Sequence, residues 1–132
     1  MMDGISIVIC TRDRAEDLAK TLESIAQVQV PRDRLVELLV VDNGSKDNTA
    51  QVVELWKPPA GMGRGYVLEP QKGKGHAYNT GLRMAKGEIL LFTDDDVRVP
   101  ENWIAGMAEP IDRGLADAVA GGVRIADHWM RP

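Results

Sequence analysis

The chain has 132 residues, of which 44% are hydrophobic and 27% charged, with a net charge of −4 and an isoelectric point near 5.1. This length predicts a single domain over residues 1–132 with one core. The acidic balance argues against a nucleic-acid-binding protein, whose surface would carry a basic patch. The sole cysteine, Cys10, excludes a disulfide within the chain, and no apolar run approaches the roughly 20 residues of a membrane span. We therefore expect a domain in the cytoplasm, or one attached peripherally to the inner face of a membrane.

The first half of the chain alternates short apolar runs with segments of helical periodicity. Residues 5–10 predict a buried strand, and apolar residues at intervals of three and four predict a helix within 14–28. A second strand is predicted over 35–42, followed by a turn and a helix within 46–56. The stretch 57–65, rich in glycine and proline, is predicted to interrupt this pattern.

The second half of the chain continues the alternation. Gly87 is predicted to end the third helix, and Pro100 suits the first turn of the fourth. Because parallel neighbours need crossover connections, the β-α-β-α-β-α-β-α-β order predicts an α/β fold with a mostly parallel sheet and helices on both faces. The predicted strands are 66–69, 88–93 and 116–125, and the predicted helices are 76–86 and 101–111.

Polar clusters follow the first four predicted strands. Their sequences are TRDR (11–14), DNGS (42–45), EPQKGKGHAYN (69–79) and TDDD (93–96). In an open α/β sheet, ligands bind in the crevice beyond the carboxyl ends of the strands. The presence of all four clusters at this edge predicts a ligand site there.

The three consecutive aspartates impose the sharpest chemical constraint on that site. If the strand continues through them, Asp94 and Asp96 point to one side and Asp95 to the other. Two converging carboxylates repel unless a cation compensates, and Mg²⁺ or Mn²⁺ accepts one or two carboxylates together with water and phosphate oxygens. The alternative is a solvated acidic turn before the helix near Pro100. The position at the sheet edge favours the metal site.

Two further clusters suggest contacts with a nucleotide. Asp42 leaves two interpretations open, because DNGS is ordinary turn chemistry, whereas a carboxylate after a buried strand could accept hydrogen bonds from a base or ribose. Lys72 and Lys74 flank Gly73 in a loop before a helix whose amino end favours anions. This arrangement favours contact with a phosphate or a base.

The motifs CTRDR, VVDNGSKDNT, EPQKGKGHAYNTG and GEILLFTDDDV resemble family 2 glycosyltransferases of the GT-A fold. Their order and spacing match over roughly the first 100 residues. In such enzymes the amino-terminal half is Rossmann-like and binds a nucleotide-sugar donor, often a UDP-sugar, with a divalent metal. The resemblance implies inverting transfer, in which an acceptor hydroxyl attacks the anomeric carbon opposite the departing nucleotide.

The resemblance also implies roles for individual residues. Thr11 matches a position at the nucleobase, Arg14 a position near the donor, and Asp42 the acidic residue that pairs with the base. Lys74 and Asn79 fall in the loop and helix that close over the donor.

For the acidic motif, the resemblance implies both sugar and metal contacts. Asp94 and Asp95 match positions on the ribose side, and Asp96 matches the main ligand of Mg²⁺ or Mn²⁺. Asp94, which converges with Asp96 if the strand continues, is expected to be a second metal ligand.

The usual catalytic aspartate and the acceptor-binding surface of the family lie in the carboxyl-terminal half. The chain ends at RIADHWMRP, and Asp112, Asp117 and Asp127 do not lie in a matching motif, so no general base is assigned. We expect a truncated, donor-binding half with weak or no transfer to an unknown sugar, lipid or other hydroxyl acceptor. Trp129 and Met130 fit a missing continuation or a surface for self-association.

Other functions share parts of the pattern. A non-catalytic nucleotide-binding or assembly module would keep the donor site without glycosylating any acceptor. A nicotinamide-dependent dehydrogenase requires a glycine-rich turn after the first strand, where this chain has TRDR. A phosphatase would use the aspartates as nucleophile and acid, and Asp94→Asn would then abolish the release of phosphate from an aryl phosphate.

Overall fold

The structure, a computed structural model, describes residues 3–114, which form four strands and four helices in alternation. The strands are β1 (Ile5–Thr11), β2 (Val36–Asp42), β3 (Met62–Leu68) and β4 (Ile89–Thr93). The helices are α1 (Ala15–Ile25), α2 (Thr49–Leu55), α3 (Lys74–Met84) and α4 (Trp103–Asp112). The strands are parallel, in the order β3-β2-β1-β4, which confirms the predicted α/β fold. The predicted fifth strand, 116–125, lies outside the described residues.

The sheet is covered on both faces, which explains the nearly continuous apolar sequence of its strands. In β1, Ile7 and Ile9 belong to a core shared with α1, α2 and α4. Val8 points to the opposite face and packs in a smaller core with Ala77 of α3. Neighbouring side chains of one strand therefore belong to different cores, as the alternation of a strand requires.

The order of the strands reverses beside β1. The chain runs outward from β1 to β2 and β3. It then returns through α3, which covers the sheet face opposite α1 and α2, to β4 on the other side of β1. In doubly wound sheets, such a reversal opens a crevice at the carboxyl ends of the two strands involved. The topology therefore places the expected site between the ends of β1 and β4.

β3 is longer than predicted and begins earlier. Gly63 and Gly65, which suggested an interruption, lie inside the strand, and all of β3 pairs in register with β2. At Gly65 a Cβ atom would lie 3.2 Å from Cδ1 of Leu39, so the missing side chain leaves room for the core. Pairing with a neighbouring strand outweighs the weak strand preference of glycine.

The predictions for Gly87 and Pro100 were wrong in detail. α3 ends at Met84, and Ala85 already has extended backbone angles (φ −65°, ψ 134°), so Gly87 does not end the helix. Instead, Gly87 lies against β1, where a Cβ atom would be 2.6 Å from the backbone nitrogen of Ser6. Pro100 precedes α4, and its carbonyl accepts a hydrogen bond of 3.1 Å from the N–H of Trp103.

A buried ion pair holds the amino edge of the sheet, opposite the expected site. Arg34, with a side chain 3% exposed, donates two hydrogen bonds to Asp112, of 2.7 and 3.0 Å, and one to the carbonyl of Asp3. The hydrogen bonds and charge of Arg34 lower the pKa of Asp112. One of the carboxylates considered for a general base is therefore a structural group at the wrong edge.

Replacing Asp112 with alanine is expected to lower the free energy of unfolding by about 2 kcal/mol at pH 7, because it leaves the buried Arg34 charge without its partner. Since the pKa of Asp112 is lower in the folded state, its contribution is complete above the unfolded value of about 4 and disappears as the pH falls through the folded value. Denaturant unfolding of both proteins should therefore show a constant difference from about pH 7 to 5 that shrinks below pH 4.

Glu109→Ala is the matched control, since Glu109 also lies in α4 and pairs with Arg113, but both of these side chains are more than 60% exposed. We expect it to cost less than about 0.5 kcal/mol. Equal effects of the two substitutions would contradict a buried, stabilising pair.

Within residues 3–114, none of the helices has both the length and the apolar character needed to cross a lipid bilayer.

Candidate functional site

The carboxyl ends of β1 and β4 border a cleft of about 250 Å³. It lies at the reversal of strand order, where the topology predicts a ligand crevice. Side chains from β1, its following loop, α3 and the acidic turn after β4 surround it. The lining residues include the predicted Thr11, Arg14, Lys74, Asp94, Asp95 and Asp96, together with Cys10, Arg12, Asn43, Ala77 and Tyr78.

A second, more open groove of about 480 Å³ lies between α1 and the end of α2. Lys20, Trp56, Lys57 and Arg98 are among its lining residues, and none of the residues in the four polar clusters contributes to it. Although this groove is larger, Lys20, Lys57 and Arg98 are exposed, and within residues 3–114 none of them forms an ion pair with a carboxylate. The smaller cleft is the better candidate for a functional site.

Asp95 is the buried member of the acidic turn. β4 ends at Thr93, so the three aspartates form a turn and not a continuing strand, but their burial alternates as expected, with Asp95 buried and Asp94 and Asp96 exposed. The Thr11 hydroxyl donates a hydrogen bond of 2.8 Å to Asp95, and Nε of Arg14 lies 3.5 Å from its other oxygen. Burial raises the pKa of Asp95, while Thr11 and Arg14 oppose this by stabilising the carboxylate. Asp95 therefore joins the ends of β1 and β4.

Asp94 and Asp96 are the exposed members of the turn. Nη2 of Arg14 donates a hydrogen bond of 3.0 Å to Asp96. Within residues 3–114, the Asp94 side chain has neither a hydrogen-bond donor nor a cationic partner. Both carboxylates thus offer oxygen atoms to the cleft.

The donor set suits a hard divalent cation whose shell is completed by a ligand. Residues 3–114 contain no preassembled group of three His, Cys, Asp or Glu side chains that could hold a metal ion. Mg²⁺ and Mn²⁺ need only one or two carboxylates when phosphate oxygens and water supply the rest. Asp96 and Asp94 fit this role, because their oxygens are accessible in the cleft.

The only cysteine does not supply a nucleophile. Burial raises the pKa of Cys10 to about 11, and the charges of Asp94 and Asp95 add to this effect. The thiol is therefore protonated near neutral pH, whereas a reactive cysteine needs its thiolate form.

Asp42 is buried at the end of β2, 2% exposed, and does not line the cleft. One carboxylate oxygen accepts a hydrogen bond of 2.8 Å from the N–H of Ser45, which is the turn bond that DNGS predicts. The other accepts a hydrogen bond of 2.5 Å from the Tyr66 hydroxyl. Burial raises the pKa of Tyr66 to about 12, with a further contribution from Asp42. The turn role is therefore observed, and the contact with a base stays a prediction.

Asn43 organises the loop between β3 and α3, a role that the sequence analysis missed. Its amide nitrogen donates hydrogen bonds to the carbonyls of Glu69 and Gln71, at 3.0 and 2.7 Å, and its amide oxygen accepts one of 3.0 Å from the N–H of Gly73. The loop ends at Lys74, which lines the cleft. An asparagine directly after a strand was the available signal, since its side chain readily bonds backbone groups.

The predicted residues of α3 occupy different positions relative to the cleft. Lys74, in the first turn, lines the cleft, whereas Asn79 is exposed and does not. Tyr78, which was not predicted, lines it and packs edge-on against Phe92, with ring centroids 5.6 Å apart. Adjacent helical residues such as Tyr78 and Asn79 point in directions that differ by about 100°. The motif alone could not show which of the two faces the cleft.

The loop after β1 is fixed to the loop after β2, and this positions Arg14. Asp13 has a left-handed backbone (φ 53°), and its N–H donates a hydrogen bond of 2.8 Å to the Ser45 hydroxyl. Its carboxylate accepts a hydrogen bond of 2.6 Å from the N–H of Lys46. The two loops therefore hold the backbone beside Arg14 while its side chain reaches the acidic turn.

The fold and the cleft define a Rossmann-like α/β domain with a ligand site at the carboxyl edge of its sheet. Residues 6–128 match the glycosyl transferase family 2 model, and the chain belongs to this family. Succinoglycan biosynthesis protein ExoM of Rhizobium meliloti (strain 1021) is 34% identical over 132 residues, covering 96% of this chain and 42% of ExoM. The chain thus spans about two fifths of the length of this relative.

Solved structures confirm the GT-A type of fold. The mannosyltransferase PcManGT from Pyrobaculum calidifontis, in complex with GDP-Man and Mn²⁺, superposes with a TM-score of 0.73 at 31% identity, over 83% of this chain and 32% of that protein. S. aureus TarS 1-349, in complex with UDP, gives a TM-score of 0.72 at 27% identity over 83% of this chain and 32% of that 1-349 chain. The predicted family and fold are therefore both confirmed.

Proposed function

We propose that this chain binds the nucleotide-sugar donor of an inverting glycosyltransferase, with a UDP-sugar as the donor and Mg²⁺ or Mn²⁺ as the cation. The observation that carries this proposal is the cleft between β1 and β4, where two exposed carboxylates lie beside Arg14 and Lys74. Carboxylates attract the metal, and cationic side chains attract the diphosphate. The complex of PcManGT with GDP-Man and Mn²⁺ supports a nucleotide sugar with a divalent cation, and the complex of TarS with UDP supports uridine as the nucleoside.

The proposed roles of the acidic turn follow from burial. Asp96 and Asp94 hold the cation, because both are exposed to the cleft. Asp95 is bound to Thr11 and Arg14, so it fixes the turn and offers its remaining acceptor capacity to the ribose. When bound, the cation neutralises charge on the departing diphosphate.

The base and phosphate contacts are assigned to the neighbouring loops. Thr11 lies at the nucleobase, and Asp42 pairs with the base through lone pairs that Ser45 and Tyr66 leave free, since each carboxylate oxygen accepts more than one hydrogen bond. Lys74 contributes its charge in the first turn of α3, whose amino end favours anions.

Activation of the acceptor is assigned to residues outside 3–114. In the proposed reaction, an acceptor hydroxyl of a sugar, lipid or other molecule loses its proton to a base and attacks the anomeric carbon opposite the nucleotide. Asp112 is unsuited to this task, because it is paired with Arg34 at the opposite edge of the sheet. Asp117 and Asp127 lie outside the described residues.

Two properties of the whole protein complete the proposal. We place it in the cytoplasm or on the inner face of a membrane, and assign acceptor binding to residues outside 3–114 or to a second copy of the chain. The alternative function is a non-catalytic nucleotide-binding module. It is favoured by the position of Asp112, which is paired with Arg34 at the opposite edge of the sheet and so cannot activate an acceptor at the cleft.

Calorimetric titration tests the proposed donor site. UDP and GDP are titrated into the 132-residue chain with and without Mn²⁺, followed by the corresponding sugar nucleotides. We expect UDP to bind more tightly than GDP, and Mn²⁺ to increase the affinity at least tenfold, which corresponds to about 1.4 kcal/mol. Failure of UDP to bind in the presence of Mn²⁺ would contradict the proposal. Glycosylation of an added acceptor would separate the enzyme from the non-catalytic module.

A further inference from the structure

Arg14 is the cation that balances the acidic turn. Its Nη2 atom lies 3.0 Å from Asp96 and its Nε atom 3.5 Å from Asp95, and Nη2 also lies 3.5 Å from Asp17. Among residues 3–114, no other lysine or arginine lies within 4.0 Å of Asp95 or Asp96. The guanidinium therefore lies against the carboxylate to which the proposed function assigns the metal.

The backbone of Arg14 is held in place, but its side chain is accessible. The carbonyl of Arg14 accepts the N–H of Leu18 in the first turn of α1, and the preceding residue is fixed to the loop after β2. The Arg14 side chain is 47% exposed. Its guanidinium can therefore exchange partners without any change in the fold.

A divalent cation and the Arg14 guanidinium compete for the same carboxylate. If the cation enters first, it either displaces the guanidinium from Asp96 or experiences the repulsion of a neighbouring positive charge. A diphosphate changes this balance, because a guanidinium binds phosphate oxygens through two parallel hydrogen bonds. Arg14 then has a new anionic partner as the metal takes its place.

We propose that Arg14 is an internal counter-cation, which occupies the acidic turn while the cleft is empty and transfers to the diphosphate when metal and nucleotide bind together. This inference rests on the proposed function of the cleft and adds to it a coupling between the two ligands. Metal alone binds weakly, and metal and nucleotide strengthen one another. Because coupling between two ligands is reciprocal, each raises the affinity of the other by the same factor.

Titration of Mn²⁺ in the absence of nucleotide tests the competition directly. The electron paramagnetic resonance signal of free Mn²⁺ reports how much is bound. An ion pair of this kind contributes up to about 1 kcal/mol, which Mn²⁺ must overcome to reach Asp96 in the wild-type chain. Arg14→Gln should therefore bind Mn²⁺ alone about three- to fivefold more tightly. With UDP present, the factor by which Mn²⁺ and UDP strengthen one another should fall.

Arg12→Gln is the matched control. Arg12 lines the same cleft and its loss changes the net charge equally, but its ion-pair partner is Asp13, at 3.9 Å. It therefore reports the long-range effect of one positive charge, and we expect a change in Mn²⁺ affinity below about twofold. Arg14→Lys, which keeps the charge but lacks the guanidinium fork, should fall between the wild type and Arg14→Gln. If Arg14→Gln folds poorly, Arg14→Lys takes its place in the comparison with the wild type.

The outcomes separate this inference from the function on which it rests. If the wild-type chain binds Mn²⁺ and UDP together, but Arg14→Gln and Arg12→Gln have equal affinities for Mn²⁺ alone, the counter-cation role is overturned and the donor site stands. If the wild-type chain fails to bind the two together, the donor site itself is overturned.

Discussion

Replacing Asp96 with asparagine is expected to remove most of the UDP affinity that Mn²⁺ adds, a loss of about 10- to 100-fold. The Asp96 carboxylate is exposed in the cleft, and the neutral amide is a poor ligand for a hard divalent cation. Affinity for UDP without metal should not fall, because it depends on the base and the cationic side chains, and the substitution removes one of the carboxylates that hold Arg14. Calorimetric titrations with and without Mn²⁺ measure the two affinities separately.

Asp17→Asn is the control for this substitution. Asp17 also carries a carboxylate 3.5 Å from Arg14, and it is half-exposed, but it does not line the cleft. Loss of one negative charge near Arg14 is therefore common to both variants, and only Asp96→Asn removes an oxygen ligand from the site. If the two variants lost the Mn²⁺ effect equally, or if neither lost it, Asp96 would not be the main metal ligand.

Replacing Gly87 with alanine is expected to lower the free energy of unfolding by about 3 kcal/mol or more, through overpacking. A Cβ atom at Gly87 would lie 2.6 Å from the nitrogen of Ser6 and 2.7 Å from the carbonyl carbon of Ile5. Both atoms belong to the backbone of β1, so no side chain can rotate away. Relief requires β1 or the start of β4 to move, which disturbs the pairing that positions the cleft.

Gly106→Ala is the comparison for stability. Gly106 lies inside α4, and a Cβ atom there would meet no atom within 4 Å. Alanine is favoured over glycine in a helix by up to about 1 kcal/mol, so this variant should be neutral or more stable. Denaturant unfolding distinguishes the two positions. A Gly87→Ala variant as stable as the wild type would show that the close approach of the chain to β1 is not required.

The sequence predicted three of the four described strands well because their signals are local. β1, β2 and β4 follow from continuous apolar runs, and each observed boundary lies within one residue of its prediction. β3 was predicted four residues too short at its start, because glycine has little strand preference of its own and the pairing with β2 is not visible in the sequence. Gly87 was misjudged for the same reason, since its close neighbour is β1, more than 80 residues earlier in the chain.

The candidate site was predictable to the level of loops, and less so to the level of side chains. The rule that polar residues gather at the carboxyl edge of a parallel sheet placed Thr11 and the acidic turn together. It could not show that Asn43 would line the cleft while its neighbour Asp42 would be enclosed by turn and tyrosine contacts. Such differences depend on the direction of each side chain, which packing of the whole domain determines.

The interaction between Arg14 and the acidic turn illustrates the same limit. The resemblance placed Arg14 near the donor, and it placed the metal at Asp96, but these residues are 82 positions apart in the chain. Only the folded structure shows that the two groups touch. That contact turns two separate expectations into a competition between an internal cation and a metal ion.

Paramagnetic broadening by Mn²⁺ tests the position of the donor site most directly. In the presence of UDP, substoichiometric Mn²⁺ should broaden the backbone amide signals of residues 11–14 and 94–96 in the nuclear magnetic resonance spectrum, because broadening declines steeply with distance from the ion. Signals near Arg34, at the opposite edge of the sheet, should remain sharp. Broadening centred instead on the groove beside Lys20 and Trp56, or spread evenly over the spectrum, would contradict a metal and nucleotide site between β1 and β4.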